Sequence, residues 1–387
     1  MYRDHTLSLA AIITAMLIAN LMYSVTLPLL SLTLSRAGYS ETMIGINTIA
    51  QPLAALLFTP FIPRLINRFG ASMVMVVALL TFGATCLLLP LYVDMVVWFI
   101  LRPLMGASGC VLWVASEAWV NAMADEKSRG RIVGIYGTAG ALGWALGPVI
   151  LLVAGTEGYL PFALTAALSV LACIPMLLSR GKEPDLSQGP RSRIWMYLLL
   201  APLPLVANFV VAASHEAFDA FFAIYAEALG KTEKIAFTLM TIGGFAGMVS
   251  QYPLGWLADR MNRVLLMFLL IASSMACPLL LRYCMEMTFL GLAIIFFWGV
   301  VSTGIYTMGT ILVGERFRGA QLAGASAAFT AMYAMGVLIG PPAAGASMDL
   351  FGPEGLPYTM IVLYGLVLPI VALTMFRNRV SRTSEID

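Results

Sequence analysis

Gly255-Trp-Leu-Ala-Asp259-Arg260-Met-Asn262 repeats, in altered form, Pro63-Arg-Leu-Ile-Asn67-Arg68-Phe-Gly70, which stands 192 positions earlier in a chain of 387 residues. The interval recurs elsewhere. Gly143-x-x-x-Gly147-Pro148 returns as Gly336-x-x-x-Gly340-Pro341 at an offset of 193, and Gly106 and Gly299 share that offset. Motifs that come back at half the chain length, in a sequence this apolar, predict two similar helical bundles in a membrane.

Composition names the solvent. Apolar residues make up 60% of the chain, charged residues 11%, and the mean hydropathy is +0.90. A soluble domain carries roughly 25% charged residues, so this chain lacks the side chains to cover a water-facing surface. A net charge of +2 offers a polyanion nothing, and no nucleic-acid partner is expected. The five cysteines (86, 110, 173, 277 and 284) lie in or beside apolar runs, without metal-type spacing, and read as small apolar filler. No nucleophile–base pattern, phosphate loop or metal cluster is present, so neither enzyme activity, a cofactor nor a metal is expected.

A spanning helix needs about 20 mainly apolar residues. Such runs lie near 7–34, 42–62, 72–92, 95–122, 132–154, 158–179, 197–226, 234–258, 264–284, 288–313, 322–348 and 356–376. The expected class is an all-α membrane protein with twelve transmembrane helices in two pseudo-symmetric six-helix bundles, residues 1–180 and 194–387, joined by a polar linker at 181–193. Starting in the cytoplasm leaves only Arg36, Lys231, Lys234 and Arg282 outside and Arg102 in a span, with the remainder of the 22 Lys and Arg residues inside. Both termini are therefore expected in the cytoplasm, in a multi-pass protein of the inner membrane.

The repeated Gly-x-Leu-Ala-Asp-Arg-type segment, Arg102 followed by Gly106, and Gly143-x-x-x-Gly147-Pro148 together resemble a major facilitator superfamily transporter along nearly the whole chain. The Glu117-Ala-Trp-Val-Asn121 stretch, with Arg129-Gly-Arg131 after it, is similar to the uncharacterised YcaD-type branch. The resemblance implies secondary transport by alternating access, the first bundle rocking against the second around a central path. It also implies a charge latch built from Asp259 and Arg260 and, in the degraded first copy, Asn67 and Arg68, with Glu126 and Arg129 as further members. Arg102 matches the arginine that the family associates with proton coupling. The span-five glycines and Pro148 match a motif frequent among exporters, and with Gly336, Gly340 and Pro341 they also read as close helix packing.

A charge at mid-membrane costs about 2.5–3.5 kcal/mol on insertion scales, so each one needs a reason. Span seven holds Asn208, His215, Asp219 and Phe222 on one stripe, with Glu216 beside it. Span four carries Trp113, Glu117 and Asn121, span one Asn20, Tyr23 and Ser24, and span ten Thr303, Tyr306 and Thr310. These four spans line the central cavity in the family, so the stripes are candidate substrate contacts. Coupling needs a group whose charge changes, and Glu117, Asp219, His215, Glu216 and Arg102 are the candidates, His215 either bonded to Asp219 or relaying its proton. The resulting expectation is a monomeric, proton-coupled efflux antiporter for a small organic compound. A proton-linked metabolite importer and a lipid flippase of the same fold are the alternatives.

Overall fold

The computed structural model describes residues 2–123, 129–180, 196–197, 200–318 and 320–374, and among these every regular element is a helix. The chain divides into two units, Met1–Gln188 and Gly189–Asp387. The first holds α1 (Tyr2–Arg36), α2 (Glu41–Phe58), α3 (Ala71–Leu88), α4 (Met95–Met123), α5 (Arg129–Ala154) and α6 (Leu160–Leu178). The second holds α7 (Pro202–Ala228), α8 (Glu233–Ala258), α9 (Arg263–Ala276), α10 (Phe289–Arg316), α11 (Ala320–Phe351) and α12 (Gly355–Gly365). The expected linker lies outside the described residues.

The sequence repeat is also a packing repeat. Within the first unit α1 packs on α5, α2 on α4 and α3 on α6; within the second, α7 packs on α11, α8 on α10 and α9 on α12. Glycine decides how closely these pairs approach, because helices in lipid gain from backbone contact rather than from hiding apolar surface. A Cβ on Gly106 would run into the backbone of Gln51 on α2, and one on Gly299 into the backbone of Gly243 on α8. Gly143 lies against the Leu17 carbonyl of α1 as Gly336 lies against the Phe209 carbonyl of α7. Gly147 meets Ser24, and Gly340 meets the Ala213 backbone.

Among the described residues eleven continuous helical stretches are long and apolar enough to cross a membrane, and the last, Gly324–Thr374, runs for 51 residues. As a straight helix it would reach about 75 Å, more than twice a hydrocarbon core of about 30 Å. A short turn at Gly352–Glu354 breaks it, Gly352 sits at φ +66°, and α11 and α12 pack against each other. The stretch is two crossings, which gives the expected twelve.

One boundary differs from the sequence reading. The Pro63–Gly70 motif, expected between spans two and three, is mostly helical, as Ile62–Phe69. Pro60 and Pro63 stand at the starts of a 3-10 turn and of this short helix, where a missing N–H costs nothing. Gly70, at φ +82° and ψ 149°, ends it and opens α3.

Candidate functional site

In the first unit the polar residues separate into an open face and a closed one. On α4, Trp113, Glu117 and Asn121 recur every four residues and are all exposed, and the Asn121 amide donates to the Glu117 carbonyl at 2.9 Å. One position back, Ser116 is enclosed and shares a 2.8 Å hydrogen bond with the Tyr136 hydroxyl of α5. Arg102 is fully buried.

The α1 residues face α5. Ser24 Oγ donates to the Trp144 carbonyl at 2.7 Å, the Tyr23 and Trp144 rings lie 5.4 Å apart, and the Asn20 amide donates to its own helix at Met16 O, 2.9 Å away. Proline explains the first contact. Pro148 has no N–H to give the carbonyl four residues before it, and that carbonyl belongs to Trp144.

In the second unit α7 is the most enclosed span, with 83% of its apolar window buried against 11% for Glu41–Phe69. Asn208 donates to the Phe329 carbonyl of α11 at 2.7 Å. His215 is half-buried and rests on Trp298 of α10, ring centroids 5.4 Å apart, and its Nε2 meets no hydrogen-bond partner among the described residues. Trp298 also touches Phe218, which stacks on the fully buried Phe222, which in turn stacks on Tyr225. Glu216 is buried and Asp219 half-buried.

On α10, Thr303 faces Gly247 of α8, Thr310 is exposed and bonds the Thr307 carbonyl at 2.7 Å, and Tyr306 lies beside Phe329 and Tyr333 with ring centroids 5.5 and 6.2 Å away. Tyr333 of α11, which sequence reasoning missed, is within electrostatic reach of Glu216, Asp219 and Tyr306. A lone tyrosine three residues before Gly336 carries no signal of that role. The two carboxylates thus have a phenol from another helix within reach.

The repeated charged motif is organised differently in its two copies. In the second, Arg263 reaches Asp259 at 3.5 Å and also pairs with Glu315 at the end of α10, while Arg260 lies 4.0 Å over the Trp256 ring. In the first, Asn67 is exposed and Arg68 lies 5.2 Å over Phe69. Of the other expected latch members, Glu126 lies outside the described residues, and of Arg129 only the backbone is described. Arg263 and Glu315 were not singled out beforehand, although Arg263 fills the last basic position of the motif. Among the described residues no three His, Cys, Asp or Glu side chains converge on a metal site.

Helices of spanning length in two matching sets of six, with acids enclosed in one of them, describe a membrane transporter rather than an enzyme. The chain belongs to the major facilitator superfamily, which matches it over residues 12–302 and 204–386. It is 24% identical over 382 residues to the uncharacterized MFS-type transporter YcaD of Salmonella enteritidis PT4, covering 97% of this chain and 96% of that one. It is 25% identical over 269 residues to multidrug resistance protein 1 of Bacillus subtilis, covering 66% and 67% of the two chains. The crystal structure of the nucleoside transporter NupG (D323A mutant) has the same fold, with a TM-score of 0.78 at 12% identity over 95% of this chain and 99% of that one. The protein is a multi-pass membrane protein that carries out secondary transport of a small molecule across a bilayer. Relatives from bacteria are consistent with an inner-membrane location.

Proposed function

We propose that the protein is a proton-coupled antiporter that exports a small organic compound, with Glu117 and Asp219 carrying the proton. The observation that carries this reading is the company of Asp219 and Glu216. Both stand on the most enclosed helix of the second unit, with Tyr333 in electrostatic reach. Holding a carboxylate charged in such a place is costly, and taking up a proton or a cationic group of the substrate lowers that cost. Competition between the two for one carboxylate couples their movements without a mechanical link, and access alternates between the two sides of the membrane. Glu117, exposed between Trp113 and Asn121 on α4, suits the same exchange from the first unit.

Export is favoured by the Gly143-x-x-x-Gly147-Pro148 motif and by the likeness to a multidrug resistance protein. In this reading the protein works as a monomer with both termini in the cytoplasm. Energised inside-out vesicles test it. Wild-type vesicles should accumulate a transported compound when the proton gradient is imposed, and Glu117→Gln or Asp219→Asn vesicles should not. Full gradient-driven accumulation by both variants would sink the assignment.

A further inference from the structure

Proline interrupts the ninth span. Pro278 has no N–H for the carbonyl four residues before it, and α9 gives way there to a 3-10 turn, Cys277–Leu280, before one last helical turn at Leu281–Cys284. The positions around the break are small. Ser273 and Ala276 on the α9 side and Ala293 on α10 put little bulk between the two helices, and a groove of about 370 Å³ remains, flanked by Leu280 and Phe297. Small-molecule sites measure about 300–1,000 Å³. Apart from the Ser273 hydroxyl and the Cys277 thiol, the side chains in this one are hydrocarbon.

The groove opens outward from its unit. Leu280 and Phe297 are both 48% exposed, and Ala276 and Ala293 are exposed as well. Phe297 precedes Tyr306 by nine residues, two and a half turns, so it stands on the face of α10 opposite Tyr306 of the polar stripe. At a rise of 1.5 Å per residue, Ser273 lies about 15 Å and Leu280 about 26 Å along the span from Arg263. In a hydrocarbon core about 30 Å thick, that is the half nearest the turn between α9 and α10. Water is a poor occupant of apolar walls, and a void forfeits dispersion contacts along its lining. At this depth a lipid chain supplies them.

Charges at the same end of the span select the lipid. Arg282 pairs with Glu354 at 3.2 Å and Lys231 with Glu286 at 2.9 Å, and the Arg282 and Glu286 side chains remain 72% and 56% exposed. Two cations and two acids balance. An anionic head would face Glu286 and Glu354 as well as the cations, whereas a head carrying both phosphate and ammonium has a partner for each sign. We infer that the groove binds one acyl chain of a zwitterionic phospholipid, with its phosphate at Arg282 and its ammonium at Glu286. Cys277 and Ile294 also wall the narrow cleft behind the groove, which reaches Trp298, the ring on which His215 rests. The bound chain therefore backs the wall that carries Trp298. The site stands whether or not the protein moves protons.

Native mass spectrometry of the purified full chain in detergent, with phosphatidylethanolamine or phosphatidylglycerol added, tests this. The wild type should retain one phosphatidylethanolamine. Ala276→Phe and Ala293→Phe each fill the groove, and because both alanines are exposed neither ring is forced into the core. Both should lower that occupancy at least tenfold, while Val362→Phe, at an exposed position on α12 away from the groove, should leave it unchanged. Wild-type occupancy in either filled variant, or an equal loss in Val362→Phe, would overturn the site. Phosphatidylglycerol should occupy the wild type at least threefold less than phosphatidylethanolamine, and Arg282→Gln should weaken retention of phosphatidylethanolamine. Phosphatidylglycerol held as well or better would overturn the assignment of the head.

Discussion

Ser24 closes a gap that Pro148 opens. The proline, on α5, leaves the Trp144 carbonyl without its helical N–H, and Ser24 Oγ of α1 donates to that carbonyl from 2.7 Å. Gly147, against which Ser24 packs, lets the two helices approach closely enough for the bond. A motif that reads as a family signature is here a small mechanical joint with a donor, an orphaned acceptor and a bare backbone.

The joint predicts a double-mutant result. Ser24→Ala strands a buried acceptor and should cost about 1–3 kcal/mol. Pro148→Ala gives the helix its own N–H for Trp144, so in that background the same Ser24→Ala change should cost less than about 1 kcal/mol. Unfolding of the four proteins in detergent measures both.

Two glycines three residues apart on α4 should respond oppositely to alanine. A Cβ at Gly106 would come within 2.7 Å of Gln51 Cα, while one at Gly109 meets nothing within 4 Å. Gly106→Ala should destabilise by about 1–3 kcal/mol through overpacking, as should Gly299→Ala against Gly243. Gly109→Ala should stabilise by roughly 0.5–1 kcal/mol through helix propensity. Thermal melts of the three variants decide it.

Corresponding positions of the two repeats should not tolerate exchange equally. Gly70 caps α3 at φ +82° and ψ 149°, whereas Asn262 caps α9 at φ −62°, its side chain accepting from Val264 N at 3.0 Å and Leu265 N at 3.1 Å. Asn262→Gly should cost only a few tenths of a kcal/mol and Asn262→Ala about 1. Gly70→Asn forces a side chain into backbone space that is almost confined to glycine and should cost about 1–3 kcal/mol. Melting temperatures of the three variants give the ranking.

Arg263 serves two carboxylates, Asp259 and Glu315, but the group is partly open to solvent, its side chain 30% exposed and that of Asp259 77%. Such pairs contribute about 0–1 kcal/mol. Arg263→Gln should therefore lower stability by less than about 1 kcal/mol, and the difference should fade near 1 M salt, where screening acts within about 3 Å. A larger, salt-insensitive loss would show that the arginine holds the end of α10 by something other than charge.

Most of the fold was legible because the constraints of a bilayer are coarse. Twelve apolar runs and the 193-residue interval between Gly106 and Gly299 are visible in the letters alone. The site was less legible, because a stripe every three or four residues marks helix packing and cavity lining alike. Asn20, Ser24 and Thr303 obey the same spacing as Glu117, yet Ser24 bonds α5 and Thr303 faces Gly247. Tyr333 was invisible for the opposite reason, as a single aromatic in a helix whose pattern is set by its glycines. The ring contact of His215 with Trp298 was likewise unannounced, because aromatic packing across helices leaves no periodic mark in either one.

Proton release in proteoliposomes carrying an internal pH reporter tests the central claim most directly. Addition of a transported compound should move protons in the wild type and fail to do so in Asp219→Asn or Glu117→Gln. A compound that crosses the membrane with no proton movement in the wild type would contradict proton coupling and return these carboxylates to substrate binding or helix packing.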